Sequence, residues 1–167
     1  MYNVLPYFQL RAGLYWGPCE VRLSSKRQQF LEFLSEFRRW AESRPDILAV
    51  ALLGSYARNA ATEASDIDLV IIAREPQAYL QDTRWARCFG TIDREQIENY
   101  GKLASLRVWY SDAHEVEFGF TDQTWSALPL DAGTKKVVFD GIQVLYERAS
   151  ILSELWDQVN KAETKPT

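Results

Sequence analysis

Between positions 26 and 43 the apolar residues Phe30, Phe33, Leu34, Phe37 and Trp40 recur at intervals of three and four, which places them on one face of a helix. Ser24 and Ser25 offer an N-cap for it. Arg44-Pro45 ends it, because a residue before proline is pushed out of the helical region. Two continuous apolar runs follow, 47–53 and 67–73 (IDLVIIA). Each is short and bounded by polar or turn residues, the pattern of a buried strand.

Periodicity carries the rest of the chain less evenly. A short helix is expected over 55–61, after a tight turn at Gly54. A longer helix is expected over 75–90, starting at Pro76, and one or two further helical turns over 93–100. Segments 105–110 and 115–120 alternate as strands, joined by the hairpin loop Ser111-Asp112-Ala113-His114. A short capped helix over 121–126, a helix over 135–139, a last strand over 142–146 and an amphipathic helix over about 149–160 complete the prediction. The tail from Lys161 is expected to fray. The first 18 residues are apolar but broken by Pro6, Gly13, Gly17 and Pro18, so they predict an extended arm. Strands and helices are mixed, with at least one hairpin, which favours an α+β fold with a mixed sheet over a doubly wound one.

Composition narrows the function classes. At 167 residues the chain is one domain in size, and it can bury a core without covalent staples. A net charge of −4 argues against broad electrostatic binding of DNA or RNA. It leaves room for a local basic pocket. No charged and apolar leader is recognisable at the N-terminus and no apolar run is long enough to span a membrane, so a cytoplasmic location is expected. Cys19 and Cys88 form no CxxC pair and read as scattered thiols.

The candidate chemistry lies where the first two strands meet their turns. Gly54 lets the backbone turn sharply and lets a ligand approach. Ser55 opens a helix, where unpaired N–H groups form an anion site. After a ten-residue gap come Asp66 and Asp68. Residues two apart on a strand share a face, roughly 7 Å apart at their Cα atoms, so both carboxylates can converge on hard cations such as Mg²⁺. Ile67, Leu69 and Ile71 point the other way, into the core. On the later strand, Glu115, Glu117 and Gly119 share one face, while Val116, Phe118 and Phe120 share the other. Either glutamate could supply a third carboxylate. Arg58 could touch phosphate or sit on a helix surface, and Arg107 could neutralise the acids. His114, the one histidine of the chain, excludes a histidine-rich metal site and reads as an inert loop residue. The glycine-rich P-loop pattern is absent.

Taken together, Gly54-Ser55, the ten-residue gap and Asp66-x-Asp68 resemble the signature of DNA polymerase beta-like nucleotidyltransferases. The stretches GSYAR…SDIDLVII, SLRVWYSDAHEVEFGF and DGIQVLYER look like the small bacterial branch of that superfamily. The resemblance covers roughly residues 49–147. It implies the nucleotidyltransferase fold, with a mixed twisted sheet and helices packed mainly on one face. One domain over 1–167 is expected, with a core at about 24–147, an N-terminal arm at 1–23 and a C-terminal helix. It also implies two Mg²⁺ ions at Asp66, Asp68 and, by alignment with that branch, Glu117 rather than Glu115. Gly54, Ser55 and Arg58 would bind the nucleotide. The implied reaction transfers a nucleoside monophosphate, AMP from ATP first among the choices, to a hydroxyl acceptor on a small molecule or protein. Two other readings follow from the same resemblance: an antitoxin-like partner of a small helical toxin, and an antibiotic adenylyltransferase whose acceptor pocket a second protomer could complete. Asn59 departs from the pattern, since relatives often carry glycine there. Asparagine tolerates left-handed backbone, which softens the departure.

Overall fold

A computed structural model of the chain describes residues 25–163. The expected N-terminal arm, Cys19 and the last four residues lie outside them. Helix α1 (Ser25–Glu42) forms where the apolar periodicity places it. Phe33, Phe37 and Ala41, spaced at four-residue intervals, are its buried stripe. Its C-terminal end is closed by Ser43, whose N–H donates to the Arg39 carbonyl and whose hydroxyl donates to the Trp40 carbonyl. The Arg148 guanidinium supplies another donor, to the Glu42 carbonyl at 3.1 Å.

Strands β1 (Ile47–Leu52) and β2 (Ile67–Ala73) follow, with helix α2 (Gly54–Ala57) between them. Helix α3 (Pro76–Gln81) and a 3-10 segment (Thr83–Phe89) then lead to β3 (Ile92–Asn99), β4 (Ala104–Tyr110) and β5 (Glu115–Thr121). A second 3-10 segment (Gln123–Ser126), α4 (Ala132–Asp140), β6 (Gln143–Glu147) and α5 (Ile151–Glu163) complete the order. The strands form one six-stranded sheet in the order β3-β4-β5-β2-β1-β6. Only β2 and β5 pair in parallel among these neighbours, and the other four pairings are antiparallel. The sheet is therefore mixed and the class is α+β, as the sequence predicts.

The helices do not gather mainly on one face. Alternation along β2 sends Ile67, Leu69 and Ile71 into the layer beneath α1 and α3. It sends Val70 and Ile72 into a second layer beneath α5, where Leu152, Leu155 and Val159 cover them. The small residues Ala49 and Ala51 of β1 belong to this second layer too. The central strands are buried on both sides, which is why they read as continuous apolar runs.

Two helical expectations also change. Where helical turns are expected over 93–100, the chain forms strand β3 as far as Asn99. Among the described residues this strand pairs only with β4, at the edge of the sheet, and it presents charged residues on both faces with no clear apolar alternation. The helix expected over 75–90 is split at Asp82, whose carboxylate accepts from the Arg84 N–H and starts the 3-10 segment. No helix among the described residues is long and apolar enough to cross a membrane.

Candidate active site

The parallel pairing of β2 with β5 sets the site. Its register puts Asp68 beside Glu117, and neighbouring strands lie about 4.8 Å apart. Asp66, just before β2, completes the group: one carboxylate oxygen from each of Asp66, Asp68 and Glu117 lies within 4.8 Å of the other two. All three side chains are half-buried. Glu115 is not in this set. Its carboxylate turns to Arg107, accepting from Nη1 at 2.8 Å. Thus the structure brings Glu117, and not Glu115, to the aspartates.

Gly54 stands against this group. Its φ is +66°, and a Cβ there would collide with Oδ2 of Asp68 and lie 3.2 Å from its Cγ. The Leu53 N–H donates to the Asp68 carbonyl at 2.8 Å, tying the turn to β2. Helix α2 is a single turn and ends earlier than the expected 55–61. The chain leaves it through Asn59, whose φ of 55° is left-handed. The asparagine thus occupies the geometry that a glycine would satisfy more cheaply. Ser55 is half-buried in α2, and Arg58, exposed, caps its C-terminal end.

The electrostatics are unbalanced toward negative charge. The Asp68 carboxyl is pushed up from 3.8 to about 6, first by burial, then by Asp66 and Glu117, with Arg107 opposing them. Burial works against the charge on Arg107, but Glu117, Glu115 and Glu98 outweigh it and hold the guanidinium protonated. Ser105, fully buried, donates through its hydroxyl to Oε1 of Glu117 at 2.8 Å. Sequence reasoning missed Ser105. The signal was its place two residues from Arg107 on β4, on the face that meets Glu117.

A cavity of about 400 Å³ opens from Asp68 and Glu117. Gly54 and Arg58 line it at the carboxylates, Leu53, Leu103, Trp125 and Val137 give it apolar wall, and Tyr100, Lys102, Asp131, Thr134 and Asp140 add polar groups. Helix α4 forms one side, started by Asp131, whose carboxylate accepts from the Thr134 N–H at 3.0 Å. These later residues were not legible as site residues, because they share no motif with the acids. His114 lines a separate cavity of about 180 Å³ between α1 and the β4–β5 hairpin. Its ring stacks on Tyr110 at 4.4 Å and its Nδ1 contacts Asp112, a structural placement away from the three acids.

The family model described as a nucleotidyltransferase domain matches residues 29–144. Among solved structures, an aminoglycoside 6-adenyltransferase from Bacillus subtilis is 16% identical over 62% of this chain and 37% of that one, with a TM-score of 0.47. A cytoplasmic RNA terminal U-transferase is 17% identical over 61% of this chain and 31% of that one, with a TM-score of 0.46. A toxin-antitoxin structure with AMP-PNP is 12% identical over 81% of this chain and 85% of that one, with a TM-score of 0.39. The chain thus spans about a third of the length of the first two. No curated protein matches it by sequence.

Proposed function

Because this chain belongs to the nucleotidyltransferase domain family, we propose that it transfers a nucleoside monophosphate, AMP from ATP, to a hydroxyl acceptor. The observation that carries this reading is the meeting of three carboxylates within 4.8 Å, from β2, from the residue before it and from the neighbouring β5, beside a left-handed glycine turn.

The acids fit divalent metal. They are hard oxygen donors of the kind Mg²⁺ prefers. Burial first, and then the charges of Asp66 and Glu117, push the Asp68 carboxyl up to about 6, a shift that a bound cation would offset. Two Mg²⁺ ions held by Asp66, Asp68 and Glu117 would neutralise charge on the reacting phosphates and on the attacking oxygen. In this reading Gly54 and Ser55 hold the β- and γ-phosphates, where the missing Cβ allows close approach. Arg58, on the rim of the same cavity, meets the phosphates with its guanidinium. Glu117 receives the proton of the acceptor hydroxyl. The acceptor oxygen then bonds to the α-phosphorus, the bond from that phosphorus to the bridging oxygen breaks, and pyrophosphate leaves. The apolar walls at Leu103, Trp125 and Val137 offer a place for the nucleoside.

The test is incubation with ATP, GTP, CTP or UTP labelled at the α-phosphate, plus Mg²⁺ and a lysate as acceptor source. The expected result is label transferred from ATP by the wild type and a loss of at least about 100-fold in Asp68→Asn, with the fold kept. Turnover like wild type in that variant would contradict the role given to Asp68.

A further inference from the structure

Arg107 lies outside the roles assigned above, yet it reaches two of the three acids and two carboxylates beyond them. It stands on β4 opposite Glu117. Its Nη2 donates to Oε2 of Glu117. Its Nη1 donates to Oε1 of Glu115 at 2.8 Å and lies 3.7 Å from Oδ2 of Asp66. Its Nε lies 3.7 Å from Oε1 of Glu98. One guanidinium therefore meets four carboxylates, contributed by β3, β5 and the entry to β2. Both oxygens of Glu117 are engaged from β4, one by Ser105 and one by Arg107. The direction of the third carboxylate is thus set by protein donors.

We propose that Arg107 is a built-in counter-cation that assembles the carboxylate site before metal arrives and weakens its grip on divalent ions. It is a positioning residue, acting through Glu117 and Asp66. The proposal rests on the metal-binding reading given above. A guanidinium suits the task because it stays charged and its planar fork bridges two carboxylates at once. Without it, the acids would face one another with no fixed positive charge among them, and like charges at this range repel. Its own charge beside the acids also opposes any incoming cation, which keeps bound ions exchangeable. A plain structural ion pair would behave differently, supporting the fold equally with and without metal.

The experiment follows Mn²⁺ binding through the free-ion paramagnetic resonance signal, and thermal unfolding with and without saturating Mn²⁺, on the full chain. Wild type is compared with Arg107→Met and Arg107→Lys. Arg107→Met is expected to bind Mn²⁺ about tenfold more tightly. It should lose stability without metal and regain most of it with Mn²⁺. Arg107→Lys, which keeps the charge but not the fork, is expected to stay near wild-type affinity. An Arg107→Met protein that folds only with Mn²⁺ present also supports the proposal. Affinity unchanged or weakened in Arg107→Met, an equal loss of stability in both conditions, an Arg107→Lys that binds like Arg107→Met, or a variant unfolded even with Mn²⁺ would each overturn it alone. A wild type that binds no Mn²⁺ would overturn the metal-binding reading as well.

Discussion

Gly54 and Asp68 constrain each other at a distance no other residue type would permit. The glycine needs its positive φ of +66° to turn the chain after β1, and the space a Cβ would fill is taken by the Asp68 carboxylate. Gly54→Ala is therefore expected to cost about 1–3 kcal/mol through backbone strain and to displace Asp68, weakening Mn²⁺ binding. Urea unfolding and a Mn²⁺ titration measure the two effects, and wild-type values in both would refute the coupling. Asp68 also makes the site sensitive to pH. Its carboxyl titrates at about 6 in the fold against an ordinary 3.8, so the folded state holds the proton more tightly than the unfolded chain. That contribution to stability is fully present below the unfolded value and is lost as pH rises through the folded one. Metal-free protein should lose this increment between about pH 4 and 7, and saturating Mn²⁺ should offset the loss at the upper end. Conversely, Mn²⁺ affinity should fall as pH drops through about 6, because a protonated Asp68 is a poor ligand. Melting temperatures across that range, with and without Mn²⁺, check the sign; an Asp68 contribution that grows with pH in the metal-free protein would contradict it.

The strands do the aiming. Parallel pairing of β2 with β5 is a long-range contact, and its register alone decides that Glu117, not Glu115, stands beside Asp68. The sequence made both glutamates face the same way and left the choice between them to a resemblance, since register between distant strands has no local code. Elements with strong periodicity were legible: α1, β1, β2 and the β4–β5 hairpin fall close to their expected bounds. The failures share a cause. Among the described residues strand β3 pairs along one edge, and its eight residues are mostly exposed and mimic a polar helix. The break at Asp82 depends on one side-chain acceptor, which periodicity cannot register. Helix α1 supports the sheet from the face opposite the acids. Its Phe37 is fully buried, with ring centroids 5.4 Å from Phe118 and 5.3 Å from Phe89. Phe37→Ala should cost about 3–5 kcal/mol of stability, while the fraction that stays folded keeps wild-type Mn²⁺ affinity. Calorimetric titration at a temperature where the variant is folded separates these; a parallel loss of metal binding would mean that the packing under the sheet holds the acids in place.

Across the whole molecule, the division of helices between two faces explains why a short chain can build a pocket. One layer, under α1 and α3, is filled by aromatic side chains. On the other face, between α4 and the sheet, lies the cavity that Asp68 and Glu117 share. The grouping of Asp66, Asp68 and Glu117 beside Gly54 was open to sequence reasoning because these residues fall around two strands with a recognisable spacing, whereas Ser55 does not line the cavity that Gly54 and Arg58 share. Lys102, Trp125 and Val137, which line the same cavity, share no motif with the acids and come from the β3–β4 turn, the second 3-10 segment and α4, so nothing local in the sequence joins them. The central claim, that Asp66, Asp68 and Glu117 share divalent ions, is tested most directly by anomalous diffraction from crystals grown with Mn²⁺ and a non-hydrolysable ATP analogue. The account predicts manganese peaks about 2.0–2.2 Å from carboxylate oxygens of all three residues. Peaks bound elsewhere, or ordered nucleotide in the cavity with no metal at these acids, would contradict it.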